Sequence, residues 1–106
     1  MGRNVERFGD DASRLIWEGR PNKATRRLVP SPLHAKTAAR MDTILNTATL
    51  DECLSFPPGW QFKVLRGRQR GVFQVRIDGR YRIRFRWDEQ YGAVDVTAGD
   101  FHDEDV

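Results

Sequence analysis

"GVFQVRIDGRYRIRFRW", residues 71–87, decides how this chain folds. Apolar residues recur at every second position on both sides of Asp78-Gly79: Phe73, Val75 and Ile77 before it, Tyr81, Ile83, Phe85 and Trp87 after it. Arg76, Arg82, Arg84 and Arg86 fill positions between them. A period of two belongs to a strand with one buried face, so the stretch predicts two strands joined near Gly79. A two-residue hairpin at Asp78-Gly79 would set Val75 opposite Arg82 and Phe73 opposite Arg84. Opposite residues of an antiparallel pair share a face, so that register would make the core half arginine. A three-residue loop containing Gly79 removes the conflict: Phe73, Val75, Tyr81 and Ile83 face inward, and the four arginines face the other way.

The same period extends outward. Trp60, Phe62 and Val64 alternate with Gln61, Lys63 and Leu65 and predict an earlier strand, while Ala93 to Ala98 predicts a fourth. Upstream the period is helical. Val5, Phe8, Ala12, Leu15 and Ile16 give one apolar face to a helix over residues 4–18, closed by Gly19 and Pro21. Asn22 to Pro30 is polar and basic and reads as a loop. In "SPLHAKTAARMDTILNTA", Ser31 suits an N-cap and Pro32 a first helical position, with Leu33, Thr37, Met41, Ile44, Leu45 and Ala48 as the buried stripe. Thr49 and Glu52 have capping-box spacing for a short turn, and "FPPGW" ends helical structure. The expected fold is α+β, with two N-terminal helices covering one face of a twisted, mainly antiparallel sheet of about four strands. At 106 residues, residues 1–106 are expected to form a single domain.

Charge is distributed unevenly. Residues 63–86 carry nine Lys and Arg against one acid, Asp78, whereas residues 87–106 carry seven acids and no Lys or Arg. A net charge of +3 hides this local field, which is strong enough to attract a polyanion. Ion pairing with the C-terminal acids would explain why the cluster is tolerated rather than why it exists, since surface pairs contribute only ~0–1 kcal/mol each. Guanidinium donates two parallel hydrogen bonds to phosphate and stays charged, which suits a nucleic-acid backbone. The single cysteine, Cys53, excludes an intrachain disulfide and fits a reducing compartment. It reads as buried and inert, His34 as a helix-surface residue, and Trp60 and Trp87 as packing residues. No zinc-type spacing occurs, and no stretch has the apolar length of a signal peptide or membrane span, so a cytoplasmic protein without cofactor or membrane partner is expected.

"PPGWQFKVLRGRQRGVFQVRIDGRYRIRFRW", followed by "VDVTAGDFH", resembles the C-terminal half of HigB-type toxins of the RelE/ParE superfamily. The most specific pieces are "LRG", "GRYRIRF" and "DFH", in matching order and spacing across residues 57–102. The resemblance implies a RelE-like RNase fold, ribosome-dependent cleavage of translated mRNA, and neutralisation by a helix-turn-helix HigA-type antitoxin that links the pair to operator DNA. Carried over by position, the family's leading histidine is Lys63 here, its lysine is Arg66 and its strand arginine is Arg82. The terminal Asp and His are Asp100 and His102, and the tyrosine between them is Phe101.

Metal-independent RNA cleavage needs a base for the 2′-hydroxyl, a cation for the phosphorane charge and an acid for the leaving oxygen. Arg66 and Arg82 suit only the second task, because guanidinium does not readily lose a proton. Lys63 and His102 are the candidates for proton transfer, with Asp100 orienting and Phe101 stacking on a base. Arg68, Arg70, Arg76 and Arg84 are the further candidates for substrate binding. Two other readings share these residues: a noncatalytic RNA-binding module, and a ParE-like toxin that inhibits a topoisomerase through protein contact.

Overall fold

The computed structural model describes residues 6–101. Helices α1 (Asp11–Glu18), α2 (Lys23–Leu28) and α3 (His34–Leu45) precede four strands, β1 (Lys63–Val64), β2 (Phe73–Asp78), β3 (Tyr81–Asp88) and β4 (Gly92–Asp100). The strands form one antiparallel sheet in the order β1-β2-β3-β4. Helices cover the face that carries Val75, Ile77, Ile83, Phe85, Val96 and Ala98, and Ile16, Val29, Met41 and Ile44 close the core above them. The architecture is the expected α+β one. Among the described residues, no helix is long and apolar enough to cross a membrane.

The β2–β3 register is the one that keeps arginine out of the core: Val75 lies opposite Ile83, Phe73 opposite Phe85, and Arg76 opposite Arg82. The device differs from the expected three-residue loop. Asp78 pairs with Tyr81 across Gly79 and Arg80, and a bulge between Arg76 and Asp78 takes up the extra residue. One inserted residue shifts the pairing by the single step needed to match the faces.

Four expectations about local structure are corrected. The first helix begins at Asp11, with Asp10 accepting from the Ser13 amide at 2.7 Å as N-cap. Before it, Phe8 bridges Val96 in parallel and Gly9 donates to the Val96 carbonyl, so this segment covers the outer edge of β4 instead of lengthening the helix. The stretch from Asn22 to Pro30 contains α2, closed by a reciprocal capping box between Asn22 and Thr25. Ser31 makes no side-chain cap: Ser31–Leu33 is a 3₁₀ turn leading into α3. Finally, Trp60 ends a 3₁₀ turn and Gln61 has φ 49°, so β1 is only two residues long. There Val64 is 55% exposed and Leu65 is 1% exposed, inverting the expected alternation at this sheet edge.

His34 is half-buried rather than a surface residue. Its Nε2 lies 2.7 Å from the Val29 carbonyl and 3.2 Å from that of Thr25, tying α2 to the start of α3. The expected Thr49–Glu52 box does not form: Thr49 makes no side-chain cap, and Glu52 accepts from the Ala48 amide, one residue before the cap position.

Candidate functional site

Antiparallel register sorts the basic residues by row. Lys63 pairs with Gln74, Gln74 with Arg84, and Arg84 with Thr97, giving one row across all four strands on the face opposite the helices. The next row is Arg76, Arg82 and Gly99. Lys63, Arg76, Arg82 and Arg84 therefore share one face, because opposite residues of an antiparallel pair point the same way.

Like charges directly opposite each other destabilise a sheet, and each inner arginine is held by local partners. Arg76 lies 3.5 Å from Asp78. Arg82, only 9% exposed, turns its Nη1 back to donate to the Gly79 and Tyr81 carbonyls at the β2–β3 turn. Arg84 donates from Nε to Gln74 Oε1 at 2.9 Å and sets its guanidinium 4.4 Å from the Phe101 ring centre. One ring face of Phe101 is thus taken by Arg84. The ring ties the end of β4 down to the arginine face, an arrangement that favours the charge when desolvated. Asp100 accepts from Arg80 Nε at 3.0 Å.

An open cavity of about 380 Å³ lies on this face, lined by Gln69, Val72, Arg84, Arg86, Thr97 and Phe101 among others. Beyond it, the loop from Leu65 to Val72 folds back through a 3₁₀ turn at Gly67–Gln69 and carries the exposed Arg66, Arg68 and Arg70. No ion pair among the described residues involves these three or Arg86. Of the C-terminal acids expected to neutralise the cluster, Asp100 pairs with Arg80, and Asp103, Glu104 and Asp105 lie outside the described residues. Asp88 accepts from the Gln90 and Tyr91 amides of its own turn.

Of the predicted site residues, the register brings together Lys63, Arg76, Arg82 and Arg84, with Phe101 against Arg84. Arg66 follows the end of β1 in the loop past Lys63, while Arg82 stands in the pair row on the other side of the Lys63–Gln74–Arg84 row. Asp100 stands at the end of β4 on Arg80, and His102 lies outside the described residues. Gln74 was not anticipated: a glutamine between two basic residues reads as solvent-facing, yet it is 2% exposed and bonded to Arg84. Arg40 was also missed. From α3 it donates to the Arg76 and Ile77 carbonyls and stacks 5.0 Å over Trp60, and burial together with the Arg76 charge lowers its pKa from the ordinary arginine value. Among the described residues, no group of three or more His, Cys, Asp or Glu is arranged to hold a metal.

Residues 7–102 match the family described as the RelE-like toxin of type II toxin-antitoxin system HigB. The chain belongs to the HigB-like toxin family. Toxin HigB-1 of Vibrio cholerae serotype O1 is 33% identical over 61 residues. The matched region is 58% of this chain and 63% of that relative's length. The HigB-like match takes in α1 through β4 together with the arginine face, so helices and sheet belong to the family unit as well as "LRG" and "DFH".

Proposed function

We propose that this chain is the toxin of a type II toxin-antitoxin pair and acts as a ribosome-dependent mRNA endoribonuclease, cutting translated transcripts by acid/base attack of the 2′-hydroxyl without a metal ion. The observation that carries the reading is the row Lys63–Gln74–Arg84 beside Arg76 and Arg82, on a sheet face opposite the core, in a HigB-like chain. A proton-transfer amine on a guanidinium-lined face is what cleavage of a phosphodiester asks for.

In this reading Arg82, braced at the turn, neutralises charge developing on phosphorus. Arg66, Arg68 and Arg70 hold backbone on the far side of Lys63, and Arg76 and Arg84 supply field within the face. Lys63 and His102 divide the proton transfers, with Asp100 orienting while shared with Arg80. Phe101 has one face covered by Arg84, which leaves base stacking to its other face. A helix-turn-helix HigA-type antitoxin covers the basic surface and links the pair to operator DNA, all in the cytoplasm.

Induction of the wild-type chain and of Arg82→Ala and His102→Ala variants, with primer-extension mapping of transcripts, tests the proposal. Breaks within translated codons are expected for the wild type, reduced by ~10²-fold or more in each variant, as loss of a charge-stabilising or proton-transfer group predicts. Growth arrest with intact transcripts would transfer the protein to the topoisomerase-inhibitor reading. RNA binding without breaks would leave a noncatalytic module.

A further inference from the structure

Helix α2 carries a cationic surface that the sheet-face chemistry does not use. Lys23, Arg26 and Arg27 are exposed, while Thr25 is fully buried and Leu28 half-buried. Spacings of three and four residues put the three cations side by side on the outward face. None of the ion pairs among the described residues involves them, and the neighbouring Arg20 is answered by Glu18 at 3.7 Å. Arg26 and Arg27 suit the last turn of a helix, but Lys23 stands at the first turn, where the helix dipole disfavours a cation. Helix stability therefore accounts for Arg26 and Arg27 but not for Lys23. The short helix is nevertheless fixed in place by its capping box and by His34 on the Thr25 and Val29 carbonyls.

Its position gives the triad a use. A β-carbon at Gly99 would lie 3.4 Å from Phe101 Cζ and 3.8 Å from Leu28 Cδ1, so Leu28 of α2 and the Phe101 ring, which itself lies under Arg84, both come up to Gly99. Gly99 is opposite Arg82, at the end of the face away from the Arg66–Arg70 loop.

We propose that Lys23, Arg26 and Arg27 form a second binding site for the phosphodiester backbone of RNA, holding nucleotides that run past the sheet face on the side opposite the Arg66–Arg70 loop. This rests on the nuclease reading of the sheet face and extends its substrate to a strand longer than the cleaved step. Phosphate fits the site because guanidinium forks on a capped helix meet its oxygens in pairs, and among the described residues no acidic side chain is paired with them.

The test uses the full chain and 2′-O-methyl oligoribonucleotides, which lack the attacking hydroxyl, of about 16 and about 4 nucleotides. Affinity is measured by fluorescence anisotropy across a salt series for the wild type, for Lys23→Gln/Arg26→Gln/Arg27→Gln, and for Arg26→Lys/Arg27→Lys. Each phosphate contact on a single strand contributes ~0.7 to the log–log salt slope. The triple variant is expected to flatten the slope by ~2 for the long strand and to leave the short one unchanged, at an unaltered urea midpoint, while the lysine variant keeps the wild-type slope. An unchanged slope on the long strand, or an equal loss on both lengths, overturns the proposal. So does polyglutamate competing as well as RNA through the same residues, which would make the patch a dock for an acidic protein. If the wild type binds neither strand, the α2 site falls, while the sheet-face reading is decided separately by the transcript mapping; normal binding insensitive to the triple variant likewise removes the α2 site alone.

Discussion

At Gly9 a hydrogen in place of a methyl group decides whether the edge of β4 can be covered. A β-carbon there would lie 1.9 Å from Thr97 Oγ1, and Thr97 is β-branched, with its hydroxyl donating to the Asp95 carbonyl. Gly9→Ala is expected to destabilise the fold by ~1–3 kcal/mol in urea unfolding, with partial recovery in Gly9→Ala/Thr97→Ala. Retained stability in the single variant would show that the N-terminal segment is free to move off β4. Cys53 gives a pH-dependent expectation. It is fully buried, and burial, reinforced by the Glu52 charge, raises its thiol pKa to about 11. The unfolded chain releases that proton nearer pH 9, so the native state binds more protons in between. Stability from this group is complete below pH 9 and is lost as pH rises toward 11. Urea midpoints over that range should fall less steeply in Cys53→Ala, and parallel declines would contradict the assignment.

Among the elements, α2 was the least legible. Its sequence, "KATRRL", has no apolar stripe, and its stability comes from Asn22 and Thr25 bonding each other's backbone amides and from His34 in the next helix. Asn22→Ala should therefore cost ~1 kcal/mol and lower amide protection in residues 23–28 more than in α3, as read by hydrogen exchange. Uniform loss across both helices would mean that the cap does not act locally. The β2–β3 pair was more legible, because a wrong register would bury Arg82 and Arg84 against Val75 and Phe73. Pattern specified the pairing without specifying how it is achieved, since a three-residue loop and a two-residue turn with a bulge give the same partners. At β1 the alternation failed. Three consecutive turn residues and a left-handed Gln61 shorten the strand, and a sheet edge lies beyond the cover that makes one face apolar.

Among the described residues, Phe8 and the side chains of Ile16 in α1, Met41 and Ile44 in α3, Val75 in β2, Ile83 and Phe85 in β3 and Val96 in β4 meet in one cluster. We expect far-UV circular dichroism and tryptophan fluorescence to follow one unfolding transition, because Trp17, Trp60 and Trp87 lie in α1, before β1 and in β3 respectively. Separated midpoints would show that the helices and the sheet are independent units. The order of residues by itself determined the class of fold, the segregation of arginine from hydrocarbon and the family resemblance, because periodicity and motif spacing are properties of the chain read in one dimension. The tertiary structure alone decided which cations share a row with Lys63, that Arg84 sits on Phe101, and that a basic segment taken for a loop is a helix beside the site. Those facts depend on strand register and on how elements pack: Gln74 lies between Lys63 and Arg84, Gly99 lies opposite Arg82, and the His34 ring of α3 holds the α2 carbonyls. Local sequence does not encode such distances.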